Sequence, residues 1–297
     1  MALAMIGLLA VCWVFVEGLP ALLAPGYSLY QVVWMRYAVH LLFMLLVLGP
    51  RQGWGLLRTD RPLLQVGRGL LMLAMPVCFI EALNVIKVGN LLAVFWVAPL
   101  LVLALAAVIE RDRAALLTWL AAAAALAGVT MILRPNGSFP PAGLLLALGM
   151  AGSYALYVVL TRTLRSDHTH TNLFYTAACV FVPLTAVMPL VWKQPAPMDL
   201  LVMGAVGLVG LALLWALDRA TALAPVSWIA PFLLLPPVVG LAVDTLRLRD
   251  LPGRLALAGA ALVLGSLALL LLLDATGLHT SPATAGVAGA ENPVGHP

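Results

Sequence analysis

Three ionisable side chains stand inside long apolar runs of this sequence: Glu17 in "CWVFVEGLP", Arg36 in "VVWMRYAVH" and Glu81 in "PVCFIEALN". A charge near the centre of a bilayer costs ~2.5–3.5 kcal/mol on insertion scales, so each is a candidate to hold or pass a solute. The planar fork of Arg36 can take a carboxylate through two parallel hydrogen bonds. It is therefore predicted to hold one of the two glutamates, with Glu17 the nearer in sequence. Glu81 lies one turn from Asn84 on one helix face and is left for an ammonium group or a proton. Read structurally, Glu17 and Arg36 are instead an ion pair that fixes helix packing. His40, one turn beyond Arg36, reads as a packed neutral imidazole.

A second signal is a phrase written twice, "WVAP" from Trp96 to Pro99 and "WIAP" from Trp228 to Pro231. A proline inside a helix removes one hydrogen bond and frees a carbonyl. In a membrane that is tolerated where neighbours or a wet cavity satisfy the backbone. Pro99 and Pro231 are thus predicted to be helix hinges beside a binding site. Trp96 and Trp228, with Tyr154, Tyr157 and Trp215, are the aromatic candidates for a substrate path, because ring faces attract cations. Tryptophan is also common at membrane interfaces, which is the ordinary reading of any one of them.

The elements that must position these residues follow from composition. The chain is 63% hydrophobic and 9% charged, with net charge +4, against about a quarter charged residues in soluble domains. Runs of about 20 apolar residues suit helices that cross a bilayer. Breaks at charge, proline and glycine predict an all-α integral membrane protein with ten transmembrane helices. They fall at 3–22, 30–49, 64–86, 88–109, 115–133, 142–164, 171–192, 200–219, 223–246 and 254–273. The longest connection, "PRQGWGLLRTDRP", is predicted to be a loop, and residues 275–297 a disordered tail. The first run lacks a basic leader, so it is expected to be a retained helix. Gly204, Gly207 and Gly210 recur every three residues and predict a smooth face for close packing.

Several functions are disfavoured. The arginines are scattered and form no basic stripe, so no nucleic acid partner is expected. Cys12, Cys78 and Cys179 have no metal-ligand spacing, and His168-Thr-His170 has no third ligand nearby, so no metal is predicted. The ionisable residues in the spans are too few for a catalytic cluster, so no enzyme and no cofactor is expected. No G-x-x-x-x-G-K-[ST] occurs, which leaves a gradient or passive flow to drive any transport.

The repeated phrase sits in matched surroundings. "ALNVIKVGNLLAVFWVAPLLV" leads to "ERDRAALLTWLAAAAALAGV", and "ALDRATALAPVSWIAPFLL" leads to "RLRDLPGRLALAGAALVLGS". The period matches spans four and nine, so the unit is five helices. An odd unit inverts the second copy, an architecture that places substrate sites at the repeat interface of secondary transporters. The predicted units are 1–133 and 142–274. In this arrangement Asp218 is the counterpart of Asn84.

Here the chain resembles the EamA family of the drug/metabolite transporter (DMT) superfamily. The likeness is carried by residues 30–62 with Arg36, by "RGLLMLAMPVCFIEALNVI", and by "APVSWIAPFLLL" with "RDLPGRLALAGAALVLGSL". It departs from the family at the third-to-fourth connection, where "IKVGNL" offers Asn90 in place of a carboxylate. At the two charged corners it offers Glu110 and Asp250. The resemblance implies two inverted five-helix repeats and alternating access. It implies a non-ATP carrier of small polar metabolites, an exporter of amino acids or related compounds, in the inner membrane with both termini cytoplasmic. The substrate and the lipid bilayer are the expected partners, with monomer and homodimer both open. The rival reading is a membrane scaffold without transport, which a dry interface between the halves would favour.

Overall fold

A computed structural model of the protein describes residues 1–23, 25–248 and 251–276, except the side chains of Trp54 and Leu248. Arg249 and Asp250 of the second charged corner, and the expected tail beyond Thr276, lie outside the described residues. Among the described residues the fold is all helix, with no strand. The helices are α1 (Ala2–Leu22), α2 (Leu29–Gln52), α3 (Pro62–Ala82), α4 (Val88–Ile109), α5 (Leu116–Leu133), α6 (Pro141–Thr163), α7 (Thr169–Thr185), α8 (Pro197–Leu223), α9 (Val226–Arg247) and α10 (Arg254–Ala275). Among the described residues nine helices, all but α7, are long and apolar enough to cross a membrane. The seventh expected span falls on α7, which has 17 residues and is followed after a short break by the turn Met188–Val191.

Proline and glycine set the local breaks. Pro62, Pro141 and Pro197 each open a helix, where the missing N–H needs no partner. Within α4 the helix interrupts at Trp96 and Val97, and Pro99 sits in the first turn of the resumed segment. α9 is broken more deeply. A short turn, Val226–Ile229, runs into a 3₁₀ segment, Ala230–Leu234, that carries Pro231, and Pro236 opens the final stretch.

The connection expected to be a loop after residue 49 is largely helical. α2 continues through a π-helical turn, Met44–Leu48, to Gln52, and a 3₁₀ segment, Gly53–Leu57, follows. Pro50 is tolerated there because it opens the new turn. Helix geometry ends at Gly53, whose φ of 49° with ψ of −130° suits only glycine.

The strongest helix pairings are α5 with α10, α3 with α6, α1 with α8, α3 with α7 and α2 with α8. Glycines set the close approaches. A Cβ at Gly128 would stand 2.5 Å from the carbonyl of Gly259 on α10, and one at Gly69 would stand 2.6 Å from Cys179 Cβ on α7. A Cβ at Gly207 would stand 2.6 Å from Val39 Cβ on α2. Gly204 has open space instead, so only two of the three recurring glycines act in packing.

Connections between helices are tied by side chains. Asn90 Nδ2 donates to the carbonyls of Asn136 and Ser138, at 2.8 and 3.2 Å, and its Oδ1 accepts from Asn136 N–H at 2.8 Å. Arg162 Nη1 donates to the Thr221 and Ala222 carbonyls, at 2.6 and 3.1 Å, and so caps the end of α8. Asp112 accepts from Ser227 N–H at 2.9 Å and Oγ at 2.7 Å, holding the start of α9. Glu110 accepts from Thr163.

Gly128→Val is expected to destabilise the fold by about 1–3 kcal/mol through overpacking. Gly152→Ala, with nothing within 4 Å, should keep or slightly raise stability, since alanine is the better helix former. Thermal unfolding of both variants in detergent, beside wild type, checks the contrast.

Candidate functional site

A cavity of about 460 Å³ opens between α1, α2, α3, α4, α6 and α8, within the roughly 300–1,000 Å³ typical of small-molecule sites. Its lining runs from helix ends (Pro20, Leu29, Leu83, Val88) to the middle of the bundle (Met150, Tyr154, Leu213). It therefore reaches one face of the bundle, the face on which α1 ends and α2 begins. Most of the wall is apolar, with Met72, Met75 and Phe79 from α3. Glu17 and Arg36 are its charged residues.

The bidentate pair expected of Arg36 is not formed. Glu17 Oε1 accepts from Trp13 Nε1 at 2.7 Å, one turn earlier on the same helix. Among the described residues Arg36 makes no hydrogen bond and no ion pair. Its guanidinium lies 5.1 Å from the centre of the Tyr37 ring, and its buried Nε has no partner. α2 packs so closely on α8 that a Cβ at Gly210 would stand 2.5 Å from Arg36 Nε, so the side chain lies along a glycine seat. The cavity thus presents one carboxylate and one guanidinium that do not neutralise each other directly.

The floor is aromatic. Trp13 stacks on Phe95 at 5.8 Å and meets Trp96 at 5.6 Å and Tyr154 at 5.5 Å between ring centres. Trp13, Tyr154 and Trp96 are all buried, but the first two line the cavity whereas Trp96 does not and packs against Trp13. His40 is buried and stacks on Tyr37 at 6.1 Å, with its Nε2 unpartnered.

The other sequence candidates lie apart. Glu81 and Asn84 are exposed and outside the cavity lining; Glu81 accepts from Tyr30 on α2, and Asn84 donates to it at 3.5 Å. Trp215 is 37% exposed and lines neither cavity. Trp228 stacks on Phe232 at 4.9 Å and lines a second cavity of about 280 Å³ with Thr118, Ser227 and Asp274. The two halves of the repeated phrase therefore occupy different settings. Pro99 is buried beside the aromatic floor, and Pro231 is buried in the 3₁₀ segment of α9.

Sequence reasoning missed a buried polar network on the opposite half of the bundle. Arg68 on α3 donates to Thr161 Oγ1 at 3.0 Å, Gln65 Oε1 at 3.2 Å, Thr176 Oγ1 at 3.1 Å and the Asn172 carbonyl at 2.5 Å. Gln65 Nε2 donates to Asp167 Oδ2 at 2.8 Å and Asn172 Oδ1 at 2.6 Å, and Asn172 Nδ2 donates to Asp218 at 2.7 Å. The available signal was Gln65 and Arg68 at i, i+3 near the start of an apolar span. Asp218, expected from sequence as the counterpart of Asn84, is a buried member of this network.

On the cavity face a clasp joins α2 to the connection before α8. Gln31 Nε2 donates to the Lys193 carbonyl at 2.6 Å, and Gln31 Oε1 accepts from Lys193 N–H at 3.0 Å. Tyr27 OH donates to Asp199 Oδ2 at 2.7 Å. That bond to a carboxylate raises the Tyr27 pKa, because the proton it donates becomes harder to lose.

Comparison with known proteins supports a membrane transporter. The chain is 23% identical over 213 residues to an S-adenosylmethionine uptake transporter of Rickettsia prowazekii, covering 71% of this chain and 72% of that protein. It is 22% identical over 213 residues to the S-adenosylmethionine uptake transporter of Rickettsia conorii, and 23% identical over 216 residues to that of Rickettsia bellii. A solved crystal structure matches with a TM-score of 0.79 at 19% identity, over 92% of this chain and 97% of that one, and so shares the fold. No protein-family model matches the chain.

Gly210→Ala is expected to displace the Arg36 guanidinium and destabilise the α2–α8 crossing by about 1–3 kcal/mol, whereas Gly204→Ala, with open space around it, should not. Thermal unfolding of the two variants in detergent checks this.

Proposed function

We propose that the protein is a secondary carrier that takes up a small zwitterionic metabolite bearing a cationic centre, of the S-adenosylmethionine class. The observation that carries this reading is the cavity itself: Glu17 and Arg36 share an apolar, aromatic wall without bonding each other. A substrate carboxylate suits the free guanidinium of Arg36. A sulfonium or ammonium suits Glu17 and the faces of Trp13 and Tyr154. A planar base can lie against the same rings. The names of the relatives favour uptake over the export expected from sequence, and a solute-sized cavity favours a carrier over a scaffold.

The same reading takes the chain as ten spanning helices in two inverted EamA-like repeats, residues 1–133 and 142–274. Matched pairings support it. α1 packs on α8 as α6 packs on α3, and α2 packs on α8 as α7 packs on α3. Gly207 meets Val39 and the Arg36 carbonyl, just as Gly69 meets Cys179 and the Tyr175 carbonyl. With both termini in the cytoplasm, as the loop charges favour, the cavity faces outward in the orientation uptake requires.

Proteoliposomes with labelled S-adenosylmethionine test the proposal. Uptake above empty vesicles is expected, reduced about tenfold or more by Glu17→Gln and by Arg36→Gln. Glu81→Gln should fall within about twofold of wild type, since Glu81 lies outside the cavity lining. No uptake by folded protein, with or without a pH gradient, would sink this substrate class. Uptake untouched by Glu17→Gln and Arg36→Gln would sink the assigned site.

A further inference from the structure

We propose that Arg68 and Tyr157 form a second anion subsite. In this subsite the carboxylate that Arg36 holds on the cavity side is received when the path opens to the opposite face. The inference rests on the carrier reading above and extends it to a residue that the cavity does not touch.

Arg68 is 1% exposed, and among the described residues no carboxylate accepts from it directly. Its acceptors are two threonine hydroxyls, one amide oxygen and one backbone carbonyl, and its Nε has no partner. The carboxylates of Asp167 and Asp218 stand one amide away, bonded to Gln65 and Asn172. An arginine retained only for packing would be expected to meet a buried charge by direct pairing, because desolvation is severe without it. Here the guanidinium is held by neutral groups that an ionised carboxylate would outcompete, since charge-assisted bonds are about twice as strong as neutral ones.

Exchange costs Gln65 Oε1 its bond from Arg68 but leaves the two threonine hydroxyls bonded. The Thr161 hydroxyl donates to the Tyr157 carbonyl at 2.7 Å, and the Thr176 hydroxyl donates to the Asn172 carbonyl at 2.9 Å. Both keep those bonds when Arg68 turns away, so releasing it orphans no buried hydroxyl proton.

The geometry repeats that of the open site. Arg68 lies 5.0 Å from the centre of the Tyr157 ring, as Arg36 lies 5.1 Å from that of Tyr37. Each guanidinium has a buried, unpartnered Nε. Each belongs to a helix crossing seated on glycine, Arg36 against Gly210 and Arg68 beside Gly69. Tyr154, in the cavity wall, and Tyr157, under Arg68, are one turn apart on α6, so a single helix face connects the two places. One guanidinium is open to solute and the other is shut, which is what alternate opening of two faces calls for.

The test compares S-adenosylmethionine with its decarboxylated analogue in wild type and Arg68→Gln. Binding of S-adenosylmethionine to the open cavity should stay within about twofold of wild type, because Arg68 does not line it. The ratio of uptake rates, carboxylated over decarboxylated, should fall about tenfold in Arg68→Gln. Equal loss of both substrates, or no change in either, overturns the subsite and leaves Arg68 a packing residue. If wild-type protein takes up neither compound, the carrier assignment fails by itself, and a labelling measurement decides the subsite. Phenylglyoxal modification of Arg68 in wild-type vesicles, read by peptide mass spectrometry, should proceed slowly and be slowed further by benzoate. An Arg68 that is never modified, or is modified without protection, overturns the proposal.

Discussion

Close helix crossings seated on glycine are the constraint on which the rest of this structure depends. Where Gly207 and Gly210 bring α8 against α2, and Gly69 brings α3 against α7, the side chains of Val39, Arg36 and Cys179 rest directly on the glycine backbone. In a bilayer no hydrophobic drive joins one helix to another, so association rests on such close packing and on hydrogen bonds between helices. The same crossings dictate where the two arginines lie. Arg36 runs along the surface vacated by Gly210, and Arg68 directly precedes the glycine that admits Cys179. A single β-carbon would change both packing and electrostatics.

Given that packing, the charges are distributed unequally between the two halves of the bundle. On one side Glu17 and Arg36 share an apolar cavity, where Glu17 accepts from a neighbouring tryptophan and Arg36 faces a tyrosine ring with its Nε unpartnered. On the other, Arg68 is wrapped by Gln65, Thr161, Asn172 and Thr176, with Asp167 and Asp218 one amide away. A buried charge must find compensation somewhere. The first half is arranged so that a ligand can supply it, and the second half supplies it from the protein. A carrier would draw on that asymmetry, since one side must be receptive while the other is sealed.

The repeated phrase shows how one local signal takes two tertiary meanings. Trp96 follows a short helical segment and is pressed into the aromatic floor beside Trp13 and Phe95. Trp228 follows Pro225 and leans on Phe232 at the edge of a separate cavity. Both prolines interrupt regular helix, but Pro99 does so at a single turn whereas Pro231 sits in a 3₁₀ stretch closed by Pro236. The backbone breaks are a property of the local sequence; the neighbours of each tryptophan are not.

That division holds for the whole protein. Apolar runs, proline starts and charged corners were enough to predict an all-helical membrane chain with its helices nearly in place, because in a bilayer each backbone polar group must be satisfied within its own segment. The same runs identified Glu17, Arg36 and Tyr154, since charge and aromatic polarity stand out against leucine. The sequence could not determine which of these share a cavity, because that depends on which helices cross and at what height. Glu81 was as conspicuous as Glu17 yet lies outside the lining, tied to Tyr30. Beyond its spacing from Gln65, Arg68 carries no local signal of its role, and only the arrival of α6, α7 and α8 around it made it the centre of a buried network. Helix formation is decided residue by residue along the chain, whereas a site is decided by packing between residues a hundred positions apart, such as Arg68 and Asn172.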